Sequence, residues 1–414
     1  MRHTLIDQTH GRGWTEPAAH HARRWDRWAA ARLQHAISAS QVRLELWDGS
    51  SPFDGRDAIG DLVVRDRRAL IGLIVNPELY FGEGYMTGRI DVRGPIERVV
   101  EALSRLPAPP TTWHHRLAAR LAWPNSLDGA RRNVHLHYDL GNDFYARWLD
   151  AGMVYTCAYF ASPSQTLEDA QTAKHELICR KLHLQPGASV VEAGSGWGGL
   201  AIHMARHYGA RVKAFNISRA QVAYAREWAD REGLGARIDF IEDDYRNVTG
   251  TFDAFVSVGM LEHVGLRHFA SLAEVLRRVV RRDGGRGLLH FIGRDAPRPL
   301  NPWIRRRIFP GAYPPTIAEV TTRVLAPAGM SVLDVENLRL HYARTLACWS
   351  ERFAAARHEV RSEYGNEFAR AWELYLAGSE AAFASGWMQL FQIVFAPHET
   401  APPSWTRPLP PGAS

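Results

Sequence analysis

The run Val190-Val191-Glu192-Ala193-Gly194-Ser195-Gly196-Trp197-Gly198-Gly199 pairs an apolar stretch with a glycine-rich turn that opens a helical pattern. Missing Cβ atoms let the backbone approach a nucleotide-like ligand, and the following helix offers free N–H groups. Gly194, Gly196 and Gly199 also satisfy the dinucleotide pattern, so nicotinamide enzymes must be weighed. Such an enzyme wants an acid at the end of the next strand, about 20 residues on. Here that strand ends Lys213-Ala214-Phe215-Asn216, without one. The third apolar run ends Glu242-Asp243-Asp244-Tyr245, where an acid can hold an adenine, and this favours S-adenosylmethionine over NAD(P).

Four further positions carry groups able to move or hold a proton: Cys157, Glu262 (followed by His263), His290 and Tyr342. Each has a plainer reading. Cys157 can be a buried thiol, His290 a satisfied core histidine inside an apolar strand, Tyr342 a packing aromatic, and Glu262 with His263 a helix cap. What separates the readings is position: ligands of open α/β sheets bind at the carboxyl ends of the strands.

The elements that must position these residues are legible from Ser189 onward. Apolar runs at Ser189–Glu192, Val212–Phe215, Ile238–Ile241, Ala254–Val258 and Gly287–Ile292 read as buried strands. Helical stretches at about 200–208, 218–233 and 266–281 alternate with them, which predicts a doubly wound, mostly parallel sheet of Rossmann-like type. A proline break at Leu106-Pro107-Ala108-Pro109-Pro110 sets off a smaller N-terminal α/β domain. In it Val42–Trp47 and Ala69–Val75 read as strands, and Phe81–Gly88 as a glycine-punctuated segment. The expected divisions are 1–110, a linker at 111–130, a catalytic domain at 131–400 and a Pro-rich tail at 401–414.

Among the 414 residues, 46% are hydrophobic and 23% charged, a globular balance that excludes wholesale disorder. No apolar run approaches a membrane span, and residues 1–30 lack the apolar core of a signal peptide, so a cytoplasmic location is expected. Cys157, Cys179 and Cys348 show no paired spacing, and no metal site is expected. Lys174, Lys181 and Lys213 are the only lysines among 50 basic residues. Arginine in such excess suits an anionic surface, although a GC-rich coding bias would write it too. Pro302–Pro310 interleaves Trp303, Ile304, Ile308 and Phe309 with three arginines, and Arg23–Ile37 carries Trp25 and Trp28 among arginines. Both read as interfacial or as packing segments with solvated charges. Arg277, Arg278, Arg281 and Arg282 read as complementing a helix C-terminus.

Longer strings are more specific. His137-Tyr138-Asp139-Leu140-Gly141-Asn142-Asp143-Phe144-Tyr145 precedes Trp148-Leu149-Asp150 and Tyr155-Thr156-Cys157-Ala158-Tyr159-Phe160. Then come Ser257-Val258-Gly259-Met260-Leu261-Glu262-His263-Val264-Gly265, Leu289-His290-Phe291-Ile292-Gly293, Tyr342-Ala343-Arg344-Thr345-Leu346 and Gln389-Leu390-Phe391-Gln392-Ile393-Val394-Phe395. In order and spacing these resemble the cyclopropane-fatty-acyl-phospholipid synthase family, relatives of the mycolic acid cyclopropane synthases. The resemblance covers about 130–397 and, more weakly, 81–91.

The resemblance implies a class I methyltransferase fold and an enzyme that adds a methylene group from S-adenosylmethionine across the double bond of an unsaturated phospholipid acyl chain. A bicarbonate ion, held by Cys157, Glu262, His290, Ile292 and Tyr342, would take the proton whose loss closes the ring. Tyr155, Tyr159 and Phe160 would face the carbocation. Cofactor contacts would come from Tyr155, Thr156, Gly194, Ser195, Gly196, Trp197, Gly198, Gly199, Asn216, Ile217, Gln221, Asp244 and Tyr245. It implies peripheral contact with the inner face of the membrane through a lipid-contacting N-terminal domain, no nucleic acid, and admits a homodimer. Three positions depart from the family pattern: Ser195 for a Cys, His341 for an acid, and Ser379 for a Cys. Rival readings keep the fold and give a methyl or methylene branch, methylate a small soluble acceptor, or bind lipid without catalysis.

Overall fold

The computed structural model describes residues 21–55, 57–106 and 140–400, which form two compact units. The proline break, the linker, the tail and the His137–Asp139 end of the first family string lie outside the described residues. Among the described residues, the larger unit comprises 140–298, Gly311–Thr345 and 388–400. Its sheet contains β4 (Ser189–Ala193), β5 (Arg211–Asn216), β6 (Ile238–Glu242), β7 (Ala254–Val258), β8 (Arg286–Gly293), β9 (Met330–Asn337) and β10 (Gln389–Pro397). The order is β6-β5-β4-β7-β8-β10-β9, parallel except for β10, which runs antiparallel to both neighbours.

Strand periodicity divides the apolar residues between two cores. Val190, Ala214, Val256, Leu288 and Val394 pack on one face with the helices Leu167–Lys181, Gly199–Tyr208 and Arg219–Arg231. Their chain neighbours Val191, Phe215, Phe255, Leu289 and Ile393 pack on the other, beneath the helix Phe269–Val279. Burial on both faces is why these strands read as continuous apolar runs. The order turns around between β4 and β7, which opens a crevice at their carboxyl ends. Gly194, just after β4, faces Met260, just after β7: a Cβ there would lie 3.1 Å from the Met260 Cβ.

The smaller unit takes in the N-terminal residues together with Pro299–Pro310 and Leu346–Trp387, two segments that the sequence reading placed with the catalytic part. Its sheet joins β1 (Val42–Glu45), β2 (Gly60–Val64) and β3 (Ile90–Arg93), with β1 parallel and β3 antiparallel to β2.

One expectation fails in this unit. Ala69–Val75 is no strand but part of the helix Arg67–Val75, whose buried Ala69, Leu70, Gly72 and Leu73 follow helical spacing. The Asp66 side chain caps it by accepting the Ala69 N–H at 2.8 Å, a contact of about 1 kcal/mol. The glycines of Phe81–Gly88 sit mostly in the helix Pro77–Met86. They are there for packing: a Cβ on Gly82 would meet the Trp303 ring at 2.3 Å, and one on Gly84 would meet Ile90 at 2.5 Å.

Of the two readings of Pro302–Pro310, the contacts follow the packing one. Trp303 and Ile308 are buried within the unit, Arg307 forms a forked pair with Glu83 at 2.8 Å, and the Phe309 ring meets Tyr375 edge-on at 5.5 Å. No helix among the described residues is long and apolar enough to cross a membrane.

Candidate functional site

The glycine turn leaves β4 with Gly194, Gly196 and Gly198 all at positive φ (84°, 54° and 92°). These glycines serve different ends. A Cβ on Gly198 would strike Phe240 at 2.7 Å and Ala225 at 2.9 Å, whereas one on Gly196 would meet nothing within 4 Å. Gly198 permits packing, and Gly196 opens onto the crevice. The turn is closed by the Gly198 N–H donating to the Ser195 carbonyl at 2.9 Å, a backbone bond that a serine preserves in place of a cysteine.

Asn216 stands at the end of β5, where a nicotinamide enzyme would carry its acid. Its amide donates to the Gly196 carbonyl (3.0 Å) and to Gln221 Oε1 (2.8 Å), and its Oδ1 accepts the Ser218 N–H (3.1 Å). Ile217, half-buried, links it to the next helix. Beyond β6, the Asp244 carboxylate accepts from Arg246 Nε (2.7 Å), Arg246 Nη2 (2.8 Å) and the Arg246 N–H (2.9 Å). Tyr245 is packed into the apolar cluster that holds Phe215 and Phe269.

On the other side of the turn, Trp197 Nε1 donates to Asn142 Oδ1 at 2.8 Å, and the Trp197 ring meets Tyr145 at 5.1 Å. Tyr155 packs against Tyr145 (5.5 Å) and Trp148 (5.3 Å). Thr156 is held from both ends, its carbonyl accepting from Gln171 Nε2 (2.9 Å) and its hydroxyl from Lys174 Nζ (2.9 Å). Lys174 is fully buried; burial lowers its pKa, opposed by Asp150, Cys157 and Glu192.

The second group of residues converges across the crevice. Glu262 lies on the single turn Leu261–Val264 after β7, and its Oε1 accepts the Ile292 N–H in a short hydrogen bond. Ile292 pairs in register with Leu390 of β10; the Leu390 carbonyl accepts the Leu338 N–H (2.8 Å). The Leu338 carbonyl in turn receives the Tyr342 N–H (3.1 Å) and the Cys157 thiol (3.9 Å). Cys157, Glu262, Ile292 and Tyr342 are thus joined through a few backbone links. His290 lies within β8, two residues before Ile292 and therefore on the same face.

Two buried polar atoms here have no hydrogen-bond partner: Glu262 Oε2 and His290 Nε2. Burial pushes the Glu262 carboxyl up to about 7, partly offset by the Ile292 N–H. Burial also drives the His290 imidazole well below its ordinary range, and the lysines Lys174 and Lys181 add to this. The Cys157 thiol is wholly buried, and burial pushes its pKa up, away from the thiolate a nucleophile needs.

His341 has a structural duty: Nδ1 accepts the Phe160 N–H at 3.0 Å, and the ring stacks on Tyr159 at 4.7 Å. Arg344 lies over the Phe160 ring at 4.4 Å, so that face already has a cation. Ser379 belongs to the smaller unit, apart from the unit that holds the other candidate residues.

Sequence reasoning overlooked Lys174, Lys181, Glu336 and Gln392, which support these two groups from beneath. A signal existed: two of the chain's three lysines stand seven residues apart, on one face of one helix, in a protein that otherwise uses arginine.

A sheet of this order, with a glycine turn after its first strand, has the fold of the class I S-adenosylmethionine-dependent methyltransferases. The chain belongs to the mycolic acid cyclopropane synthetase family, whose model matches residues 125–393; a domain model of unknown function matches residues 30–108. It is 36% identical to a probable fatty acid methyltransferase of Pseudomonas putida, over 85% of this chain and 91% of that one. It is 39% identical to the cyclopropane-fatty-acyl-phospholipid synthase of Escherichia coli, over 63% of this chain and 66% of that one. A mycolic acid cyclopropane synthase solved with SAH and CTAB superposes with a TM-score of 0.60 at 28% identity, covering 64% of this chain and 97% of that one. The protein is accordingly a methyltransferase that modifies lipid acyl chains.

Proposed function

We propose that the protein converts the double bond of unsaturated phospholipid acyl chains into a cyclopropane ring, with S-adenosylmethionine supplying the electrophilic methyl group and bound bicarbonate the base. The observation that carries this is the pair of unpartnered buried atoms, Glu262 Oε2 and His290 Nε2, on residues tied together through β8. Leaving such groups unpaired costs on the order of 1–3 kcal/mol each, so the site is built for a polar guest. A small oxyanion fits the set: His290 donates from Nε2, and Glu262, with its carboxyl raised to about 7, shares a proton. Ile292 reaches this pair through its N–H, and Cys157 and Tyr342 are linked to it through the Leu338 carbonyl and Leu390. For the cofactor, the open side of Gly196 offers the room, and Asn216 holds that turn in shape. Tyr155 and Thr156 stand near the reacting end, where their neighbours exclude water and orient the alkene.

A second reading, a methyl or methylene branch in place of the ring, is favoured by the name of the Pseudomonas putida relative, because that similarity extends over most of both chains. The ring and a methylene branch both add CH2, so mass alone does not separate those two; a saturated methyl branch needs a hydride from a reductant and is heavier by two hydrogens. Lipids from cells expressing the protein with a monounsaturated acyl supply should show a gain of CH2, loss of alkene signals and ring protons in NMR. Branch-methyl or exomethylene signals would favour the second reading, and unchanged lipids would sink both.

Contact with the membrane rests on the helix Arg24–Ala36. Asp26, Ala29 and Ala30 are buried on it, whereas Trp25 and Trp28 are 48% and 57% exposed among arginines. Ile71, Ile74 and Val75 are exposed on the helix Arg67–Val75, which packs beside it. Tryptophan and arginine together suit an anionic lipid interface. Replacing Trp25 and Trp28 by Ala should lower affinity for anionic vesicles about tenfold or more in a flotation assay, and salt should weaken wild-type binding. Equal binding of the double variant, or no difference between neutral and anionic vesicles at either salt, would remove this role.

A further inference from the structure

His290, Gln392 and Glu336 form one row across three strands: Gln392 pairs in register with His290 on β8 and with Glu336 on β9. Beneath the row lies Lys181, whose side chain is almost fully buried. Its Nζ donates to Gln392 Oε1 at 2.7 Å and to Glu336 in a short ion pair, with Asp334 at 3.8 Å. An ammonium has three donors and no acceptor, so the Gln392 carbonyl oxygen must face Lys181. The Gln392 amide nitrogen therefore faces His290 Nδ1, 3.1 Å away. An amide NH2 only donates, so Nδ1 must be the unprotonated nitrogen.

We propose that Lys181, acting through Gln392, fixes His290 as the neutral tautomer with its proton on Nε2, so that it presents a hydrogen-bond donor to the ion site. The chain of constraints runs one way: the carboxylates hold the ammonium, the ammonium orients the amide, and the amide selects the tautomer. Burial and the neighbouring lysines keep the ring from taking a second proton. A neutral donor steadies an oxyanion without protonating it, and an anion that kept its proton-accepting capacity is what the proposed chemistry needs. Lys181 and Gln392 are positioning residues, since both act through His290. The functional part of this inference rests on the ion-site reading above; the tautomer itself does not.

The test is long-range 15N NMR of the full-length protein with labelled histidine, the His290 signals being assigned by their loss in His290→Asn. The wild type should show a neutral Nε2–H ring from pH 6 to pH 8. In Gln392→Glu the new carboxylate accepts from both sides, so the proton should move to Nδ1 or the ring become cationic. Turnover should then fall at least tenfold while S-adenosylhomocysteine affinity stays within twofold. Lys181→Met should give mixed tautomers, and Lys181→Arg, which keeps a donor, should restore the wild-type pattern. An Nδ1–H or cationic His290 in the wild type would overturn the proposal, as would an unchanged tautomer in Gln392→Glu. A tautomer that follows Gln392 while turnover does not would support the assignment and overturn the ion-site role of His290.

Discussion

Gly196→Val is expected to lower affinity for S-adenosylhomocysteine at least a hundredfold while leaving the protein folded. The reason lies in what surrounds the glycine. Its Cβ would meet no protein atom within 4 Å, so the side chain would enter the crevice rather than the core. The backbone there has φ of 54°, where a branched residue adds strain of about 1–2 kcal/mol. A hundredfold loss is about 2.7 kcal/mol, more than that strain alone supplies, and it requires that the valine occupy space the ligand needs. Gly198→Val is the contrasting variant: its Cβ would collide with Phe240 and Ala225, so it should unfold the protein at lower temperature. Calorimetric titration with thermal unfolding separates the two. A Gly196→Val protein that binds within threefold of wild type would show that the turn is not the cofactor cradle.

Glu262→Gln is expected to cut turnover at least tenfold, about 1.4 kcal/mol of barrier, with cofactor affinity nearly unchanged. Glutamine can still accept the Ile292 N–H, so the local backbone should hold, but it cannot share a proton with an oxyanion at the atom that Glu262 Oε2 now occupies. Removing bicarbonate should slow the wild type similarly, and restoring it should rescue that enzyme. Normal turnover in the variant, or indifference to bicarbonate, would send the proton by another route.

The same variant has a pH signature in stability. The folded carboxyl keeps its proton up to about 7, against 4.5 ordinarily, so between those values the folded state binds more protons than the unfolded one. Wild-type stability should therefore fall as pH rises through this window, by about 3 kcal/mol at most, and the glutamine variant lacks that slope. Urea unfolding at pH 5 and pH 8 in bicarbonate-free buffer should show the difference shifting towards the variant at the higher pH. Parallel slopes would mean that burial does not hold the proton on Glu262.

The residues themselves show where sequence reasoning held and where it failed. β4 through β8 were legible because strands covered on both faces are apolar at every position, and the glycine turn and Asn216 follow from their chain positions relative to those strands. Ala69–Val75 was misread because a short apolar run does not declare its period; Asp66 as a cap was the available signal. Gly82 and Gly84 read only as punctuation of a segment; their close packing against Trp303 and Ile90 depends on contacts that no local pattern names. Trp303 stayed open between interface and packing, because nothing local says that a tryptophan among arginines is buried.

By itself the sequence determined the class of sheet, the place of the glycine turn and the family, because each depends on short-range pattern or on long strings in order. Tertiary structure alone decided that Glu262 binds the Ile292 N–H, that the Leu338 carbonyl draws Cys157 and Tyr342 together, and that Gln392 stands between Lys181 and His290. Those relations depend on strand register and on which face each side chain takes. A one-residue slip of β10 would turn Gln392 to the opposite face and leave His290 Nδ1 without its donor, and no local pattern records that register.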